Sequence, residues 1–171
     1  MKIKNILIAF VLTLFVAQTS WSQTFNIPDN VKLEVAEDYV KHEQRIVECI
    51  NWLENTPISD DADKRLLANA YLMKWATGTP TITIEMQAFQ IDLAKKNSEL
   101  LIIFMGGWIK YAIENPTDKD NIKAANIAGL NSVIKVYTAN KGKGLKKDKR
   151  IEKLIKMDAS ELQNWVAEQL K

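Results

Sequence analysis

Eight basic side chains fall within sixteen residues late in the chain: Lys141, Lys143, Lys146, Lys147, Lys149, Arg150, Lys153 and Lys156. Only Asp148 and Glu152 oppose them, leaving a local charge of +6. Such a run attracts anions by long-range Coulomb forces, whether nucleic acid, anionic lipid or an acidic protein. It contains no aromatic residue on which a base could stack. The alternative is a solvated helix face, with Ile151, Leu154 and Ile155 turned inward.

Residue types that could do covalent chemistry are scarce. His42 is the single imidazole and Cys49 the single thiol. Seven residues of helix separate them by about 10 Å, whereas a nucleophile and its base must come within about 3 Å. His42-Glu43 has no second histidine one turn on, so the H-E-x-x-H zinc helix is absent. Asp60, Asp61 and Asp63 lack the alternation, the turn glycine and the distal Glu of a calcium loop. They suit the positive end of a helix dipole instead. Lys141-Gly142-Lys143-Gly144 follows a helix and lacks the G-K-[ST] ending of a phosphate loop. The chain contains neither G-x-S-x-G nor G-x-G-x-x-G. No catalytic residue, metal site or cofactor is assigned from these patterns.

The elements that must position these side chains read as helices. Residues from about 31 to 54 carry Ala36, Val40, Ile46, Val47, Ile50 and Leu53 at near-helical spacing. A second helix is predicted over about 60–76, capped by Ser59, with Leu66, Ala70 and Met73 on one face and Gly78 as its left-handed stop. Thr81 to Met86 alternates like a strand. Ile82, Met86, Phe89 and Leu93 also fit a helical stripe, and a helix started by Thr79-Pro80 is the reading taken. Leu100 to Ile109 has no polar side chain and predicts the central core helix. Gly106-Gly107 in its middle costs roughly 1 kcal/mol per residue relative to Ala, which close approach of a neighbouring helix or a ligand would offset. Thr117 is predicted to cap a helix to about Asn140, with Ala124, Ile127, Leu130, Ile134 and Tyr137 as its stripe. A basic helix follows. Asp158 to Glu161 is a capping box that opens the last helix. Trp52, Tyr71, Trp75, Trp108, Tyr111 and Trp165 lie beside the apolar stripes, as core aromatics do. No period recurs along the chain.

The front of the sequence has a different character. Lys2 and Lys4 precede an apolar stretch from Ile6 to Ala17, and Ser20 and Ser22 occupy the small positions before Gln23. This is the pattern of a secretory leader cut after Ser22. Its apolar run is shorter than the ~20 residues a spanning helix requires. The whole chain has 171 residues, with 23 Lys+Arg against 21 Asp+Glu. Removing Lys2 and Lys4 with the leader leaves acids and bases equal in number. The balance is uneven along the chain: residues 23–100 carry a net −5 and residues 101–171 a net +5. Either the two parts neutralise one another or they form faces of opposite sign.

The sequence therefore predicts a leader over 1–22 and an all-α single domain over 23–171. The domain is expected to be an irregular bundle of six or seven helices, with a helix-hairpin array as the other arrangement. Its expected role is that of an exported, periplasmic or secreted binding module, of bacterial style, with the basic run as its recognition surface. An acidic protein or an anionic envelope surface is the expected partner, and export argues against nucleic acid. The alternatives are a small envelope hydrolase or lytic enzyme whose carboxylates meet only in space, and a structural subunit of an envelope assembly.

Overall fold

The computed structural model describes residues 25–171, so the predicted leader lies outside the described residues. The described residues form seven helices: α1 (Ala36–Asn55), α2 (Ala62–Gly78), α3 (Ala88–Ala94), α4 (Glu99–Glu114), α5 (Ile122–Asn140), α6 (Lys149–Leu154) and α7 (Ala159–Gln169). No strand is present among them. None of these helices is long and apolar enough to cross a membrane.

The apolar segment that opens at Leu100 is α4, and it occupies the centre. It packs against α1, α2, α3 and, most extensively, α5. Leu100, Ile103, Phe104, Trp108 and Ile109 are all buried. A seven-residue link, 115–121, folds α5 back along α4. The hairpin closes tightly because its contact is made of small residues. A Cβ on Gly107 would lie 2.8 Å from the Ala128 carbonyl oxygen, and one on Gly129 would lie 2.8 Å from Phe104. Close helix approach is thus the observed compensation for Gly107, while Gly106 faces the Ile50 side chain of α1 at 3.3 Å.

The second helix is rotated from its predicted orientation. Ala68, Tyr71, Leu72 and Trp75 are buried, whereas Leu66 and Leu67 are 69% and 59% exposed, and Ala70 and Met73 are also exposed. The larger aromatic side chains decide the face, since they remove the most apolar area from water. Polar bonds reinforce the choice. Buried Arg65 donates to the carbonyls of Leu53, Thr56 and Pro57 at 3.3, 2.7 and 3.1 Å. Those groups lie at and just beyond the end of α1, where carbonyls lose their helical partners. Trp75 Nε1 donates to the Tyr39 carbonyl at 2.9 Å.

Other local expectations change as well. Residue 61, not Ser59, stands at the start of α2, with Asp61 in the left-handed region at φ 49°. The Ser59 hydroxyl donates to Asp60. Gly78 is the last helical residue rather than a left-handed stop, and its missing side chain admits the Tyr39 ring. Asn121, not Thr117, caps α5 by accepting from the Ala124 N–H at 3.0 Å. The capping box of Asp158 and Glu161 is present as predicted.

Residues 79–87 are neither helix nor paired strand, and α3 begins only at Ala88. The β-branched run Thr81-Ile82-Thr83-Ile84 disfavours a helix. An extended backbone instead turns Ile82, Ile84 and Met86 toward the core, where they are partly buried.

Candidate functional site

The basic run is held by buried polar side chains on three sides. After α5, Gly142 and Gly144 adopt φ of 76° and 116°, reversing the chain so that Leu145 enters the core. Asn140 fixes the base of this loop by accepting from the Ile58 N–H at 2.8 Å. Asn97, buried at the end of α3, grips residue 146 from both sides. Its amide donates to the Lys146 carbonyl at 3.0 Å, and its oxygen accepts from the Lys146 N–H at 2.7 Å. The Tyr137 hydroxyl accepts from the Asp148 N–H at 2.7 Å.

Buried Asp148 then starts α6 by accepting from the Arg150 N–H at 2.9 Å and pairing with the Arg150 guanidinium at 2.9 Å. Burial works against ionisation of Asp148, but the bonds and charge of Arg150 outweigh it and hold the carboxyl below its ordinary range. Ile151 and Leu154 point into the core, while Ile155 is exposed.

This anchoring sorts the eight predicted bases. Lys141 and Lys147 approach the two oxygens of Glu152 at 3.0 and 3.9 Å, and Arg150 is committed to Asp148. Lys143, Lys146, Lys149, Lys153 and Lys156 are exposed and form no ion pair among the described residues. The fold adds Lys96, whose ammonium donates to the Lys147 carbonyl at 3.4 Å. That residue is 51 positions away in sequence, and no local pattern in the run points to it. The usable signal was the pair Lys95-Lys96 directly before a buried asparagine.

A second polar feature lies where α1, α4 and α5 line an open cleft of about 300 Å³. Glu54, buried at the end of α1, accepts from the Ser132 hydroxyl at 2.6 Å and from the Lys135 ammonium at 3.1 Å. Lys110 of α4 lines the cleft and donates to Asn51 Oδ1 at 2.6 Å. Tyr111 and Ala128 supply apolar wall. Glu54 belongs to no motif of the sequence. It stands four residues after buried Ile50 and next to buried Leu53, and a charge on an apolar stripe was the available signal.

His42 and Cys49 have separate partners on α2. His42 Nδ1 lies 2.7 Å from the Tyr71 hydroxyl. Cys49 is buried, with its thiol directed at the Ala68 carbonyl at 3.5 Å, and burial pushes the thiol up to about 12. Such a thiol is protonated at neutral pH and a poor nucleophile.

The described residues form a helical bundle in which buried polar side chains anchor the basic run and α1, α4 and α5 line a charged cleft. Comparison with protein-family models, with curated proteins and with solved structures finds no match to this chain.

Proposed function

We infer that the protein is an exported helical binding module whose basic face engages an acidic protein partner. One observation supports this most. Among the ion pairs of the described residues, Lys135 with Glu54 alone joins the acidic first part of the chain to the basic second part. The others are local or lie within one part. The exposed lysines of the basic run thus keep charge that no ion pair within the described residues neutralises, and it can steer an oppositely charged partner. Lys146, Lys149, Lys153 and Lys156 are the free ammonium groups this reading relies on, and Lys96 stands beside them.

The hydrolase alternative draws less support. Both oxygens of Glu54 already accept protein donors, so this carboxylate is engaged rather than poised for proton transfer.

The test replaces Lys146, Lys149, Lys153 and Lys156 by Gln and leaves Arg150 in place, because Arg150 holds buried Asp148. Binding to poly-glutamate should weaken steeply with added salt and fall by about tenfold or more in the variant. Equal binding by the variant and the parent would refute the reading. Stronger binding to phosphatidylglycerol vesicles than to poly-glutamate would replace the acidic protein by an anionic envelope surface.

A further inference from the structure

Most buried polar side chains of this protein serve the backbone. Asn97 and Asn140 tie loops, and Asn126 bonds the Ile122 carbonyl while holding Gln90. Glu54 differs. It makes no backbone bond, and both its partners, Ser132 and Lys135, line the cleft. The Glu54 side chain is 5% exposed and the Lys135 side chain 50%, so the carboxylate is buried while the ammonium stays open to solvent.

Its geometric consequence is to fix Lys135. Asn51 does the same for Lys110 from the same helix. Two ammonium groups on facing helices are thereby oriented before any ligand arrives, which lowers the entropy cost of binding. An ammonium has three N–H donors, and each lysine spends one of them on its anchor. Gly107, packed closely against α5, lies at the floor between them, and Tyr111 and Ala128 line the wall. The cleft volume, about 300 Å³, is that of a small-molecule site.

Charge selects the ligand further. Lys110 and Lys135 are matched by Glu54 and by Glu114 at the exposed rim. A locally neutral lining opposes a dense multivalent anion and accepts a single negative charge. We propose that this cleft binds a small organic monocarboxylate, its oxygens between Lys110 and Lys135 and its carbon chain against Tyr111 and Ala128.

The probe is sodium butyrate, titrated at fixed ionic strength into the labelled protein and followed by amide chemical shifts. Inorganic phosphate is run in parallel. Saturable shifts at Gly107, Ala128 and Ser132 are expected with butyrate. Affinity should fall about tenfold in Lys110→Gln, the loss of one charge-assisted bond. Lys110→Arg should bind nearly as the parent does. Asn51→Ala keeps the charge but withdraws its anchor, so a smaller weakening is expected, and the variant leaves the core intact. Replacing Lys146 and Lys149 by Gln should leave butyrate binding unchanged. The proposal is overturned by shifts that do not saturate or that spread over residues 143–156. It is equally overturned by parent-like binding in both Lys110→Gln and Asn51→Ala, or by phosphate occupying the cleft more tightly than butyrate.

Discussion

A methyl group on Gly107 would stand 2.5 Å from Ser132 Oγ, 2.8 Å from the Ala128 carbonyl oxygen and 2.9 Å from Gly129 Cα. Two of those three atoms are backbone and cannot swing aside, so α4 and α5 would have to part. Gly107→Ala should therefore cost about 2–3 kcal/mol of stability, despite the ~1 kcal/mol that alanine gains in helix propensity. Its neighbour is a control. At Gly106 the added methyl meets only Ile50 side-chain carbons at 3.3 and 3.4 Å and a Leu72 methyl at 3.7 Å. There the propensity gain roughly offsets the crowding, and Gly106→Ala should stay within about 1 kcal/mol of the parent. Urea unfolding followed by fluorescence of buried Trp75 and Trp108 measures both. Equal losses in the two variants would contradict the close-approach account.

At the level of elements, α6 depends on a single carboxylate. Asp148 supplies its cap and accepts the Arg150 guanidinium, and its folded pKa is lowered. A lowered carboxyl stabilises the fold above its unfolded value, about 3.9, and that stability is lost as pH falls through the folded value. Asp148→Asn keeps an acceptor for the cap but has no charge to titrate. The parent should be the more stable protein at neutral pH, with the gap closing below about pH 4. A gap that stays constant down to pH 2 would show that the ion pair contributes nothing.

Elements of this kind were unequally legible in the amino-acid pattern. Periodicity located α1, α4 and α5 because each buries many apolar residues, the capping box located α7, and the charge run marked the basic segment. Periodicity misjudged the inward face of α2, where the carbonyls ending α1 draw Arg65 inward and aromatic bulk outweighs a tidy Leu-Ala-Met spacing. It also extended α3 backward over residues that pack as an extended strip. The cleft was invisible for a simpler reason: Asn51 and Glu54, Lys110, and Ser132 and Lys135 come from three helices, and nothing local joins them.

Over the whole molecule, the two parts of the chain differ in charge and are joined by few ion pairs. Residues 23–100 remain net acidic and residues 101–171 net basic, and Lys135 with Glu54 makes the one ion pair between them among the described residues. Three of the seven ion pairs among the described residues are exposed i,i+3 pairs, which solvent screens. The buried amides, not the surface charges, hold the irregular segments in place. The two hydrogen bonds between Asn97 and the backbone of residue 146 have a further consequence. Lysine-rich stretches are ordinarily the first places that trypsin cuts, because the protease needs several residues of loose backbone. Here the bonds following Lys146 and Lys147 are pinned between Asn97, the inserted Leu145 and the Tyr137 hydroxyl. The native protein should survive brief trypsin digestion with this stretch whole, and Asn97→Ala should make it the first point of cleavage seen by mass spectrometry. The chain would thereby carry a lysine-rich surface without offering proteases an easy entry.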